Sequence, residues 1–130
     1  MTNVFAIFVG AGFGGVLRYW ISLAVAKEYH GSFPMGTFLI NLAGCFAIGY
    51  LATFFFNVLP LRETLRLGIL VGVLGGFTTF SSFGRETFQL MGEGKPMITF
   101  WYVILSNVFG IGLVWAGHLM AKSLHPMPVP

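Results

Sequence analysis

Four long apolar runs, at residues 4–26, 36–58, 68–90 and 98–121, alternate with three short polar stretches along this chain. A helix needs roughly 20 consecutive apolar residues to cross a hydrocarbon core of about 30 Å. Each run meets that length, so the pattern predicts an all-α integral membrane protein with four transmembrane helices in a single domain over residues 1–121. The connections carry turn and charge signals: Gly31 and Pro34 in the first, Pro60, Arg62, Glu63 and Arg66 in the second, Gly92 to Pro96 in the third. Residues 122–130 contain three prolines and are expected to form a disordered tail. The first run has no basic residue ahead of it and continues past twenty residues, so it reads as a retained span and not a cleavable signal.

The interruptions within the runs carry the chemistry. Gly10, Gly14 and Gly15 in the first allow close approach of another helix. Residues 75–84 read GGFTTFSSFG, placing two adjacent glycines and four hydroxyls inside a segment that should be uniformly apolar. Such a sequence predicts a break in the third helix, and a break survives in a membrane only where its freed carbonyls face protein, water or an ion. Those carbonyls are hard oxygen ligands. Gly75 and Thr78 are candidate donors to a monovalent cation if two antiparallel copies meet there. Gly68, Gly72 and Gly76 also follow a four-residue spacing that serves plain helix packing. At helical spacing Phe77, Phe80 and Phe83 fall on one stripe, with Thr78 and Ser81, and Thr79 and Ser82, on neighbouring ones. A phenyl ring is positive at its edge, so such a stripe can meet an anion without formal charge, although core packing or lipid contact is the commoner use of phenylalanine in a span.

Asn41 in the second run, and Ser106 with Asn107 in the fourth, are further polar groups that need partners in hydrocarbon. Tyr102, Ser106 and Gly110 share one helix face at four-residue spacing, which sets two hydroxyls in one track. These groups serve either an anion or interhelical hydrogen bonding. Arg18 is costly within a span unless it snorkels or faces water, which makes it a candidate for an anion-attracting vestibule.

Composition narrows the class. Of 130 residues, 56% are apolar and 8% charged, against about 25% charged in an ordinary soluble domain. Four acids and seven bases cannot cover a soluble surface, and no room is left for a soluble catalytic domain. The lone Cys45 excludes an intrachain disulfide, and His30, His118 and His125 do not cluster as metal ligands. Bases divide almost evenly, with Arg62, Arg66 and Lys122 on the side of the termini and Arg18, Lys27, Arg85 and Lys95 toward the other. Such a balance leaves orientation unspecified, as expected of a dual-topology chain that pairs with itself antiparallel.

The segments GGVLRYW at 14–20, GTFLINLAG at 36–44 and GGFTTFSSF at 75–83 together resemble the Fluc (CrcB) family of small fluoride channels. The resemblance covers length, span number and motif order. This chain departs from the usual pattern at Ser82, which keeps a hydroxyl, and at Arg85. The resemblance implies an antiparallel homodimer in a bacterial cytoplasmic (inner) membrane, with two fluoride pores and a structural sodium ion at the dimer centre. It assigns the sodium to backbone carbonyls of Gly75 and Thr78. Phe80 and Phe83 become the rings of each pore, and Asn41 a donor to the anion. Tyr102 and Ser106 join the fluoride path, Thr79, Ser81 and Ser82 its polar track, and Arg18 its vestibule. The implied partners are fluoride, a second copy and lipid, with no nucleic acid. The implied activity is passive fluoride efflux that protects the cell, without catalysis.

Two other classes remain on the residues alone. A small proton-coupled multidrug-type exporter needs a carboxylate within the membrane, and of Glu28, Glu63, Glu86 and Glu93 only Glu86 approaches a span. A non-conducting assembly subunit would use the glycines and hydroxyls as helix contacts. An enzyme would need a nucleophile with a base, a carboxylate pair or a metal cluster, and the chain has none of these patterns.

Overall fold

A computed structural model describes residues 1–125, and the described residues are helical apart from short connections. Helix α1 spans Thr2–Glu28 and α2 spans Met35–Asn57. The third crossing is composite: α3 (Glu63–Leu67), a π-helical stretch (Gly68–Val73), α4 (Leu74–Phe77) and α5 (Phe80–Gly92). Helix α6 spans Pro96–Leu124. Four segments, Thr2–Glu28, Met35–Asn57, Glu63–Gly92 and Pro96–Leu124, are long and apolar enough to cross a membrane. The protein is a multi-pass membrane protein. Lys122, Ser123 and Leu124, expected in the tail, belong to α6 instead, and residues 126–130 lie outside the described residues.

The helices associate as two parallel pairs built on glycine. A methyl group on Gly10 or Gly14 of α1 would collide with the backbone of Gly68 or Val73, and one on Gly76 would collide with Ala11. Gly72 likewise rests on Ile7 and Gly10, so the four-residue glycine spacing of the third crossing is a packing seam against α1. Gly15, by contrast, meets nothing within 4 Å. The second pair is α2 with α6, where Gly49 sits against Val114 and Gly117 against Phe46 and Tyr50. Such seams suit a bilayer, where close van der Waals contact replaces hydrophobic expulsion as the force between helices. The pairs meet where Gly44 of α2 abuts the side chain of Thr78. Between α5 and α6 the chain reverses at Gly94, whose φ of 69° lies in the left-handed region that glycine enters without steric penalty.

Candidate functional site

The third crossing breaks at Thr78 and Thr79, two residues beyond the glycine pair that foretold it. Thr78 (φ −83°, ψ 159°) and Thr79 (φ −152°, ψ 113°) are extended, which β-branched threonine favours and a helix interior does not. Glycine lowers helix propensity just ahead of the break, and Thr79 starts the next helix as its N-cap. Its Oγ1 accepts from the Ser82 amide at 3.1 Å and lies 3.0 Å from Ser82 Oγ and 3.2 Å from Ser81 Oγ.

Side chains from neighbouring helices take up the exposed backbone. Asn41 pairs with Thr79 as a second strand would: the Thr79 amide donates to Asn41 Oδ1 at 2.8 Å, and Asn41 Nδ2 donates to the Thr79 carbonyl at 3.0 Å. Arg18 Nη1 donates to the Thr78 carbonyl at 3.3 Å. The guanidinium therefore reaches the break itself, and Asn41 spends one of its two amide hydrogens on backbone. Leu74 O accepts from both the amide (3.0 Å) and the hydroxyl (2.9 Å) of Thr78. Gly75 is exposed, and a methyl group there would meet nothing within 4 Å.

An open groove of about 330 Å³ runs along the break. Asn41, Gly75, Thr78, Thr79, Phe80, Phe83 and Ser106 all line it, joined by Gly44, Cys45, Ile48, Leu70, Leu74 and Asn107. Ser106 Oγ is buried there without a hydrogen-bond partner, so its O–H has a vacant direction. The Phe80 and Phe83 rings stand 5.6 Å apart at 38°, with Phe80 82% exposed. The expected three-ring stripe does not form. Phe77 precedes the break on α4 and is buried, and the two extended residues interrupt the helical spacing before Phe80.

Tyr102 lies off the groove and is fully buried. Phe83 packs on its ring at 5.0 Å and Phe33 at 5.3 Å, while its hydroxyl donates to Glu86 Oε2 at 2.7 Å. Thr37 Oγ1 donates to the other oxygen, Glu86 Oε1, also at 2.7 Å. This trio was not legible as a unit in the sequence. Glu86, a carboxylate near the end of a span, carried the available signal, since such groups persist only with partners. Ser81, Ser82 and Arg18 are at the break but do not line the groove.

Residues 5–118 match the family described as CrcB-like protein, Camphor Resistance (CrcB). The chain is 44% identical over 117 residues to a fluoride-specific ion channel FluC of Chloroflexus aurantiacus, covering 90% of this chain and 93% of that protein. It is 43% identical over 122 residues to FluC of a Roseiflexus species, covering 94% and 98%. Over 124 residues it is 36% identical to FluC of Aquifex aeolicus, covering 95% and 100%. This chain belongs to the CrcB family of membrane channel proteins, which are not enzymes.

Proposed function

We propose that this protein is a fluoride-selective channel for passive efflux of cytoplasmic fluoride, working as an antiparallel homodimer in a bacterial cytoplasmic membrane. The observation that carries the reading is the groove at the break, where the Phe80–Phe83 ring pair, with Phe80 exposed, shares the lining with the partnerless hydroxyl of Ser106. A small, strongly hydrated anion must exchange water for donors to cross. Ring edges offer weak positive potential, and Ser106 offers a hydrogen bond. The first amides of α5, at Phe80 and Ser81, are left free by the helix start and point with the positive end of the helix dipole. None of these is a full charge, so the anion binds weakly enough to leave. The single remaining N–H of Asn41 adds a donor while its other contacts keep the break open.

An exposed Gly75 and a groove open along one side suit a second copy, which would close the path and bring two breaks together. The break fits a structural sodium ion by donor chemistry: Gly75 and Thr78 present neutral carbonyl oxygens, and Thr78 O keeps a second lone pair beyond its bond with Arg18. Those two carbonyls from each copy would hold the ion. When bound, it supplies a fixed positive charge that offsets the carbonyl dipoles of two opposed breaks.

The physiological reason is simple electrostatics. HF enters neutral, ionises at cytoplasmic pH and is trapped as F⁻. A negative interior favours each outward-moving anion by about 2.3 kcal/mol per 100 mV, so no pump is required. Neither the exporter nor the assembly-subunit reading draws support from the relatives, and Glu86, the carboxylate an exporter would need, is engaged by two hydroxyls. The test is fluoride release from liposomes holding the purified protein, with valinomycin and potassium balancing charge. Rapid fluoride release, no chloride release and marked slowing by Phe80→Ile are expected; absence of fluoride release from folded protein would overturn the proposal.

A further inference from the structure

The groove at the break does not end there. Ile48 also lines a second open groove of about 520 Å³, with Gly49, Ala52 and Thr53 of α2 facing Ile111, Val114, Trp115 and His118 of α6. The two form one furrow between α2 and α6. On α6 the face that carries Tyr102, Ser106 and Gly110 continues at the same spacing through Val114 to His118. Between Ser106 and His118 this face offers no polar side chain, so the imidazole is the next polar group along it.

One tautomer lets Thr53 keep both of its contacts. Thr53 Oγ1 donates to Gly49 O at 2.8 Å, so towards His118 Nδ1, also at 2.8 Å, the hydroxyl is the acceptor. His118 therefore carries its proton on Nδ1 when neutral, leaving Nε2 as a bare lone pair. In that state Nε2 repels an anion. Protonation turns the same atom into an N–H donor with a full positive charge. No acid lies on α2 or α6, and Glu86 of α5, which also packs on α6, is held at Tyr102, more than four turns from His118. From α2, Thr53 faces the ring, and Tyr50, a turn away, lies 3.4 Å from His125 Nε2. On α6 itself the neighbour is the cation Lys122 one turn on, and the C-cap residue His125 follows two turns on; neither is an acid. Glu63 lies on α3, which packs on α1 and the π-helical stretch.

We propose that His118 is a proton-controlled anion-collecting group at the far mouth of the α2–α6 furrow, raising fluoride entry when protonated. The inference rests on the fluoride-channel reading for its ligand. It makes the permeation rate of this chain rise with acidity, the condition under which HF loads a cell fastest.

The experiment records fluoride current through the purified protein in planar bilayers at pH 7.5 and pH 5.5 on both sides, for the parent, His118→Gln and His118→Lys. A unit charge acting on an anion over ~6 Å of water gives about a three-fold rise in local anion concentration. The parent current should rise by about that factor on acidification. His118→Gln should stay at the low level and His118→Lys at the high level at both pH values. An equal rise in His118→Gln, or no rise in the parent, overturns the proposal. A parallel NMR titration of the His118 imidazole, with sodium fluoride against sodium gluconate, reads the site without conduction. An upward shift of its midpoint in fluoride supports the anion site, and an unchanged midpoint overturns it. Absence of parent current at any pH overturns the channel reading instead, and the titration then decides the fate of the His118 site.

Discussion

Replacing Asn41 by alanine removes both hydrogen bonds that hold the Thr79 backbone in its extended form. Thr79 is 8% exposed, so its amide and carbonyl have little access to water once the partner is gone. Leaving one such group unsatisfied costs about 1–3 kcal/mol, and partial water entry favours the lower end for the pair. The expected loss is therefore about 2–4 kcal/mol, or roughly 30- to 700-fold in the folded-to-unfolded ratio. Asn41→Asp keeps an acceptor for the Thr79 amide but sets a carboxylate against the Thr79 carbonyl, so it should lose at least as much. Reversible unfolding in mixed detergent micelles, followed through the three tryptophans, measures this directly. Should Asn41→Ala unfold within about 0.5 kcal/mol of the parent while fluoride flux disappears, Asn41 acts on the anion and not on the backbone, and the clamp reasoning fails.

The α1 seam gives a paired test: Gly14→Ala drives a methyl group into the Val73 carbonyl and should cost about 3 kcal/mol in the same unfolding assay, whereas Gly15→Ala, facing open space, should change stability by less than ~0.5 kcal/mol. Tyr102→Phe removes one of the two hydroxyls on Glu86 and should cost about 1.5–3 kcal/mol; combined with Glu86→Gln the losses should be clearly non-additive in a double-mutant cycle. Hydrogen bonds from Lys95 and Gln89, and the charge of Lys95, hold the Glu93 carboxyl below the usual range in the connection after α5. Its lowered folded-state value makes its stabilising contribution present above the unfolded-state pKa and lost as pH falls through the folded one, so Lys95→Ala should move the Glu93 NMR titration upward, with little effect on stability at this exposed pair.

The four crossings were legible because each is a bilayer-length apolar run, and the broken third helix because two adjacent glycines followed by four hydroxyls weaken helix continuity there. The glycines of α1 and the third crossing also declared their packing role, although only the fold separates Gly76, locked on Ala11, from Gly75, which faces open space. What the sequence could not supply was pairing across long separations. Asn41 and Thr79 are 38 residues apart, Arg18 and Thr78 are 60 apart, and periodicity constrains neither. The Phe77–Phe80–Phe83 stripe failed for a related reason: helical spacing does not carry through the two extended residues at Thr78 and Thr79. Glu86 drew notice as a possible proton carrier, but its hydroxyl partners came from two other segments, Thr37 and Tyr102. The π-helical stretch at Gly68–Val73 left no distinct sequence signal beyond its glycines.

Reversal potential tests the central claim of passive fluoride-selective conduction most directly. With a ten-fold fluoride gradient across a planar bilayer, chloride equal on both sides and pH matched, a passive fluoride pore reverses near the fluoride equilibrium potential, ~59 mV in magnitude. That value is not displaced when a proton gradient is added. Reversal near zero, or a value that follows the proton gradient, would contradict a passive fluoride pore.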